Sequence, residues 1–89
     1  MVITVYALKS LKDQYFYIGM TDSLKRRFYQ HQSGYVKSTK SRRPLQLVHT
    51  KEFPSRILAR VYEKYLKSSA GKRYLKKILS EQQPSNLPD

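Results

Sequence analysis

The chain has 89 residues, 39% of them hydrophobic, which is enough for one small core and not for a second. It contains no cysteine, so disulfide bonds, thiolate metal sites and a cysteine nucleophile are excluded. No apolar run approaches the roughly 20 residues of a membrane-spanning helix, and the first residues lack a signal-peptide pattern. We therefore expect a single domain over residues 1–80, a flexible tail over residues 81–89, and a cytoplasmic location.

The charge balance is the strongest compositional feature. Eighteen lysines and arginines against six acidic residues give a formal net charge of +12. A charge of this size on a small domain predicts a polyanionic partner, most simply nucleic acid. The alternative is a basic protein that is merely soluble. A basic membrane-surface helix is disfavoured because the cationic residues are spread along the whole chain.

The chain is predicted to begin with a β-hairpin. Residues 3–8 and 15–19 are rich in β-branched and aromatic side chains, as strands are. If the connecting loop closes symmetrically, Tyr6 lies directly opposite Tyr17, and the two Cβ atoms are about 5 Å apart on one face. A shift of one residue would instead separate the two phenols.

A helix is predicted to follow over residues 23–32. Leu24 and Phe28, four residues apart, form its buried stripe. Arg27 and His31 are also four apart and are rotated by about 60° from that stripe, at 100° per residue. We therefore expect both polar side chains to flank the core rather than to point into bulk water.

The second half is predicted to contain a basic loop, a strand and two helices. Residues 35–44 lack apolar periodicity, residues 45–52 are strand-like with Leu45, Leu47 and His49 on one face, and Gly71 separates helices over residues 56–68 and 72–79. The apolar face expected for the first of these helices consists of Ile57, Leu58, Val61, Tyr62, Tyr65 and Leu66. The order of elements predicts a small α/β domain with a three-stranded antiparallel sheet flanked by about three helices.

Acidic residues are few, which limits the chemistry. With four acids in the expected folded part, a two-metal site built from several carboxylates is improbable. Glu63 lies about 60° beyond the apolar face of its helix. Taken alone, a glutamate at this position is explained without any function by an ordinary surface ion pair with Lys67, worth about 0.3–0.5 kcal/mol.

One ordered set of segments carries a family resemblance. The segments are TVY at 4–6, YIG at 17–19, RRFYQH at 26–31, KSTKSRRPL at 37–45 and YEKYLKS at 62–68. In this order and spacing they resemble the GIY-YIG nuclease family, above all its small stand-alone bacterial members, often labelled UvrC-like. The resemblance covers about residues 3–79.

The resemblance implies a role for each residue of a catalytic set. Tyr6 and Tyr17 correspond to the two signature tyrosines, Arg27 to the catalytic arginine and Glu63 to the metal-binding acid. His31 matches a polar position that follows the arginine in many members. We assign Tyr6 as the base and Tyr17 as its positioning partner, although the sequence leaves the reverse open. Neighbouring cations are expected to lower the tyrosine pKa, because they favour the phenolate.

The resemblance also implies a cofactor and a partner. One Mg²⁺ or Mn²⁺ is expected on Glu63, and DNA or another nucleic acid is expected on the basic loop through Lys37, Lys40, Arg42 and Arg43. A protein partner or a dimer could supply specificity. The first triplet is TVY rather than GIY, and the asparagine that follows the glutamate helix in some branches has no counterpart before Asn86, in the expected tail.

These expectations describe a metal-dependent DNA endonuclease, with DNA repair or processing as its setting. A nucleic-acid-binding module that keeps the scaffold without cutting remains open, because a basic loop and exposed tyrosines would serve it equally well. A basic structural or ribosome-associated protein is a third alternative.

Overall fold

The computed structural model describes residues 2–82, with side chains described through residue 81. Its elements, in chain order, are β1 (Ile3–Ser10), β2 (Phe16–Thr21), α1 (Leu24–Gln32), α2 (Lys37–Lys40), β3 (Leu45–Phe53), α3 (Arg56–Lys67) and α4 (Ser69–Gln82). The strands form an antiparallel sheet in the order β2-β1-β3. This confirms the predicted α/β fold. One further, short helix (α2) lies within the predicted basic loop.

Strand β1 is central, and the hydrophobic material of the chain is arranged around it. Residues 3–8 are buried on both faces, since β1 has a strand on each side and helices above and below. One face forms the larger core, which contains Ile3, Val5, Ala7, Phe16, Ile18, Val48, Ala59, Leu66 and Leu75. The other face forms a smaller core of Tyr6, Leu8 and Leu45, covered by Tyr17, Leu24 and Phe28. As predicted, Leu24 and Phe28 are the covering residues of α1.

The hairpin register differs from the predicted one by two residues. Tyr6 pairs with Gly19, and Tyr17 pairs with Leu8, so the two tyrosines are not directly opposed. The turn is asymmetric: Gln14 adopts a positive φ of 68° and its amide donates to the Ser10 carbonyl oxygen at 3.0 Å. Because the offset is even, both tyrosines still project from the same face of the sheet.

Strand β3 contains a bulge that breaks its predicted alternation. Ala7 pairs with His49 whereas the next residue, Leu8, pairs with Leu47, which leaves Val48 as the extra residue. Val48 is therefore turned into the larger core and Leu47 is exposed. The prediction that Leu45, Leu47 and His49 share one face was wrong for this reason.

Helix α3 buries only part of the face predicted for it: Leu66 is buried and Tyr62 packs against the larger core, as predicted, but the rest of that face is exposed. Ser55 caps its N-terminus, and the Ser55 hydroxyl accepts from the Leu58 amide at 3.3 Å. Ala59 and Leu66 are fully buried against the sheet and α4, whereas Ile57 is 79% exposed. The small side chain of Ala59 allows the helix to approach the sheet closely. This orientation of the helix leaves four apolar residues at the surface: Ile57, Leu58, Val61 and Tyr65. The Glu63 side chain, by contrast, is only 13% exposed.

The boundary between α3 and α4 lies three residues before the predicted break. Ser68 ends α3, and its hydroxyl accepts from the Gly71 amide at 3.1 Å. Gly71 lies inside α4 and is buried. The position requires a glycine, because any Cβ there would collide with the Tyr65 carbonyl oxygen and Leu66 Cα. Its role is close helix packing rather than termination.

Helix α4 continues through residues 81 and 82, which were expected to belong to the tail. The rest of the predicted tail, residues 83–89, lies outside the described residues. No helix in residues 2–82 has the length and apolarity needed to cross a membrane.

The face assigned to α3 predicts the effects of two truncations. Leu66→Ala should lower the free energy of unfolding by about 2–5 kcal/mol, because it leaves a cavity in the larger core. Ile57→Ala should change it by less than about 0.5 kcal/mol, since the side chain is mostly in water already. Urea unfolding followed by circular dichroism measures both. Equal losses would contradict the assignment.

Candidate active site

A cleft of about 500 Å³ runs along the outer edge of β2. Helix α1 contributes Arg27 to its wall and α3 contributes Glu63, so the two helices meet there from opposite sides of the sheet. The cleft is lined by Tyr6, Tyr15, Phe16, Tyr17, Ile18, Gly19, Met20, Arg27, Arg60, Glu63, Lys67 and Lys72. Four of the five predicted catalytic residues therefore share one cavity, although they are spread over 58 positions of the sequence.

Tyr6 fills the floor of the cleft, and Gly19 makes room for it. The tyrosine is only 2% exposed, and Gly19 is its partner across the hairpin. A Cβ at position 19 would lie 2.5 Å from the Tyr6 hydroxyl oxygen, well inside van der Waals contact. The glycine of the YIG segment is therefore needed because the phenol lies directly over the neighbouring strand.

The Tyr6 hydroxyl is the first member of a buried polar chain. It lies 3.0 Å from His31 Nε2, and His31 Nδ1 lies 2.8 Å from Thr39 Oγ1. Both His31 and Thr39 are fully buried. The His31 ring also packs against Tyr17, with centroids 5.0 Å apart. His31 thus lies behind the cleft wall and is linked to the cleft through Tyr6.

Burial determines the protonation of both rings. It raises the pKa of Tyr6 above its ordinary value, and the hydrogen bond from Arg27 offsets only part of that rise. Arg27 does lower this pKa, as expected of a neighbouring cation, but desolvation outweighs it, so the expected net decrease was wrong. Burial, assisted by the Arg27 charge, lowers the pKa of His31 to about 4. At neutral pH the phenol keeps its proton and the imidazole is uncharged.

Arg27 lies beside both phenols. Its guanidinium faces the Tyr6 and Tyr17 hydroxyls, which raise the arginine pKa further and keep it charged. Its Nη1 donates to Gln30 Oε1 at 3.1 Å, one turn further along α1. The side chain is half-buried, so a fixed cation borders the cleft next to the two tyrosines.

Glu63 supplies the carboxylate among the residues that line the cleft. Its side chain is 13% exposed, and its two oxygens pair with Arg60 at 3.3 Å and Lys67 at 3.4 Å. The i,i+4 pair expected of a surface glutamate therefore forms, but it forms within the cleft.

A divalent metal ion fits this carboxylate under one condition. Within residues 2–81, no cluster of three or more histidine, aspartate or glutamate side chains could hold a metal. Mg²⁺ is commonly bound by one or two carboxylates, with water and substrate phosphate oxygens completing its octahedral shell. Glu63 is compatible with such an ion, provided that water and substrate supply the other ligands.

The predicted nucleic-acid-binding residues lie outside the cleft wall. Lys37 and Lys40 are exposed on α2. Arg42 pairs with Asp13, and its guanidinium stacks on the Tyr15 ring at 4.0 Å, while Arg43 donates to the Lys40 carbonyl oxygen. Since Tyr15 does line the cleft, the basic loop reaches its rim through this stacked pair.

Several residues of the site were not anticipated from the sequence. Arg60 precedes Glu63 by three positions, so helical periodicity alone could have placed both on one side. Lys72 comes from α4, whose start was misplaced by the interpretation of Gly71. Thr39 had no signal, because its contact with His31 depends on a turn of helix within an apparent loop.

Comparisons with known proteins agree with this geometry. The family model described as the GIY-YIG catalytic domain matches residues 2–77. A UPF0213 protein of Natronomonas pharaonis is 40% identical over 65 residues, which are 72% of this chain and 75% of that protein. A UPF0213 protein of Limosilactobacillus reuteri is 36% identical over 70 residues, which are 75% of this chain and 73% of that one.

A solved structure is also similar. The solution NMR structure of a UPF0213 protein of Bacillus halodurans has 34% sequence identity and a TM-score of 0.52, over 94% of this chain and 88% of that one. The family model covers nearly all of the folded chain, and the tyrosines, arginine and glutamate recognised in the sequence meet in one cleft. The chain belongs to the GIY-YIG family and is similar to the UPF0213 proteins.

Proposed function

We propose that this protein is an endonuclease that hydrolyses DNA phosphodiester bonds with one divalent metal ion, Mg²⁺ or Mn²⁺. The observation that supports this most is the composition of the cleft. It combines three phenols, an arginine and one carboxylate with three further cations, Arg60, Lys67 and Lys72. A phosphodiester in this cavity would lie beside cations that neutralise its charge. The Glu63 carboxylate lies among these cations.

The cations account for phosphate binding. Arg27 presents a planar fork of donors that suits the non-bridging oxygens of a phosphate. Arg60 and Lys67 approach the same region from α3, and Lys72 approaches it from α4. Hydrolysis develops additional negative charge on these oxygens, so fixed cations stabilise the transition state more than the ground state.

Glu63 is the residue that would hold the metal. When bound, the ion polarises the phosphate and stabilises the departing 3′ oxygen. The pairs with Arg60 and Lys67 orient the carboxylate towards the cleft. If a metal ion occupied the carboxylate, Arg60 and Lys67 would be available to contact the phosphate.

Tyr6 is the base in this proposal, and His31 is the acceptor of its proton. Because the Tyr6 phenol keeps its proton at neutral pH, it can take a proton from water only as it passes its own to a neighbour. As the attacking water gives a proton to the Tyr6 oxygen, the Tyr6 hydroxyl proton passes to His31 Nε2, 3.0 Å away. The hydroxide that forms attacks phosphorus, and the bond to the 3′ oxygen breaks. Tyr17 packs on His31 and positions the pair.

The setting that fits this activity is DNA repair or processing in the cytoplasm. The basic loop supplies contacts to DNA outside the cleft through Lys37, Lys40, Arg42 and Arg43. A protein partner or a second copy would supply the choice of target, because a domain of this size offers little surface for sequence readout.

Glu63→Gln should abolish cleavage while leaving DNA binding unchanged or slightly tighter. The substitution removes the metal-binding charge and also the repulsion of phosphate. Glu52→Gln is the matched control, because Glu52 is an exposed acid on β3 that does not line the cleft. Plasmid, branched and single-stranded DNA should be incubated with Mg²⁺, with Mn²⁺ and with EDTA.

If Glu63→Gln cuts as fast as the parent, the metal-site assignment is wrong. If the parent binds DNA but cuts none of the three substrates with either metal, the non-catalytic binding module is the better description. Arg27→Ala should differ from Glu63→Gln. It should reduce cleavage and DNA binding together, since Arg27 is a phosphate contact in this proposal.

DNA affinity should fall steeply with salt, because bound lysines and arginines release counterions from the phosphates. Each neutralised phosphate of a duplex contributes a slope of about −0.9 in a plot of log K against log salt. Replacing both Lys37 and Lys40 by Gln should therefore reduce the slope by about 1.8. The control replaces Arg73 and Lys77 by Gln, two exposed positions of α4 that do not line the cleft. Equal changes in both double variants would refute a specific role for α2.

Gly19→Ala should slow cleavage, because the new methyl group displaces the Tyr6 phenol from His31. The test is a double-mutant cycle with Tyr6→Phe, using single-turnover cleavage rates. Both substitutions act on the same hydroxyl, so their effects should be far from additive. Additive effects would mean that Gly19 acts by another route.

A further inference from the structure

We propose that Thr39 is a positioning residue for catalysis: its buried hydroxyl holds His31 in the tautomer protonated on Nδ1, which leaves Nε2 free to accept the Tyr6 proton. This inference rests on the proposed function, because it assigns a task within the same cleft. The observation that carries it is the unbroken chain of contacts from Tyr6 through His31 to Thr39.

The direction of the hydrogen bonds follows from the Tyr6 hydroxyl. Within residues 2–81, this hydroxyl lies 3.0 Å from His31 Nε2, and the Arg27 guanidinium faces it across the cleft wall. Arginine carries only donors, so it cannot receive the phenolic proton. Tyr6 is 2% exposed, and a buried hydroxyl without an acceptor is unfavourable. Its proton therefore points to His31 Nε2, which must be unprotonated.

A neutral imidazole with a bare Nε2 carries its proton on Nδ1. That proton points to Thr39 Oγ1, 2.8 Å away, so the threonine accepts. The threonine's own proton then points to the Val36 carbonyl oxygen at 3.4 Å, which can only accept. Every proton in the chain has one acceptor.

The opposite arrangement satisfies fewer groups. If Thr39 donated to Nδ1, His31 would carry its proton on Nε2 and would donate to Tyr6. The Tyr6 oxygen would then face two donors, Arg27 and His31, and its own proton would have no acceptor among the described side chains. His31 would also be unable to take a proton from Tyr6, so the transfer proposed above would be blocked.

The local backbone explains why a threonine occupies this position. Val36 and Lys37–Lys40 form a single turn of helix, in which the Thr39 amide also donates to the Val36 carbonyl oxygen at 3.1 Å. Thr39 is the buried residue of that turn, whereas Lys37 and Lys40 are exposed. One short segment therefore presents lysines to solvent and supports the histidine on its inner side.

The first test reads the tautomer directly. Protein labelled with ¹⁵N at histidine is measured by long-range ¹H–¹⁵N correlation at neutral pH, and His49→Gln identifies the second histidine. We expect His31 protonated on Nδ1 in the parent and in Thr39→Ser. In Thr39→Val the Nδ1 proton loses its acceptor although the Tyr6 contact remains, so the fraction of His31 protonated on Nδ1 should fall. An Nε2-protonated His31 in the parent, or an unchanged spectrum in Thr39→Val, would overturn the proposal.

The second test reads the consequence for catalysis. The single-turnover cleavage rate of Thr39→Val should fall about tenfold or more, while its Kd for DNA stays within about twofold of the parent. Thr39→Ser should recover most of the rate. Thr50→Val, the same change at an exposed residue of β3, should cut like the parent.

The outcomes separate the two proposals. A parent that cuts no DNA overturns the proposed function and the positioning role with it. An active parent whose Thr39→Val variant shifts tautomer but keeps its rate overturns the positioning role alone. Loss of stability without a tautomer change or a rate change would show Thr39 to be a structural residue only.

Discussion

The burial of the Tyr6 hydroxyl is the constraint on which the rest of the site depends. Tyr6 belongs to the central strand, where both faces of the sheet are covered, so its phenol cannot remain in water. A buried hydroxyl requires partners, and Tyr6 obtains them from α1, through His31 and Arg27. His31 is buried in turn and requires Thr39 from α2. Within residues 2–81, no buried side-chain polar atom lacks a hydrogen-bond partner.

The excess of positive charge explains how the Glu63 carboxylate is accommodated in a basic cleft. Glu63 is largely buried, and a buried carboxylate is unfavourable unless it is paired. Arg60 and Lys67 pair with it from the preceding and following turns of the same helix. Both cations are more than half exposed, so their pairs contribute little to stability. Their main effect is to orient the carboxylate towards the cleft.

Local pattern was sufficient to predict the type of each main element and the face of Tyr6 and Tyr17. The period-2 alternation of strands preserves the face under any even shift, so the tyrosines were placed correctly despite a wrong register. The apolar pattern of α3 misled, because the contact with the sheet favours the small Ala59 over the larger Ile57 and Val61. Three other features depend on packing partners rather than on the local sequence. The bulge at Val48 depends on pairing with β1, Gly71 packs against α3, and Thr39 contacts His31 of α1. No local pattern encodes them.

The smaller core shows why stability and chemistry are coupled in this domain. One face of β1 must be covered for the sheet to fold, and yet the cleft requires polar groups at the same place. Tyrosine and histidine meet both needs, because each has an apolar ring that packs and a polar atom that can be directed. Tyr6 is therefore at once a core residue and the floor of the cleft, and the rings of Tyr17 and His31 pack against one another beside it at an interplanar angle of 60°. A change to any of these rings alters packing as well as chemistry. Substitutions that remove a single hydroxyl and keep the volume of the side chain are consequently the ones that isolate the chemical role.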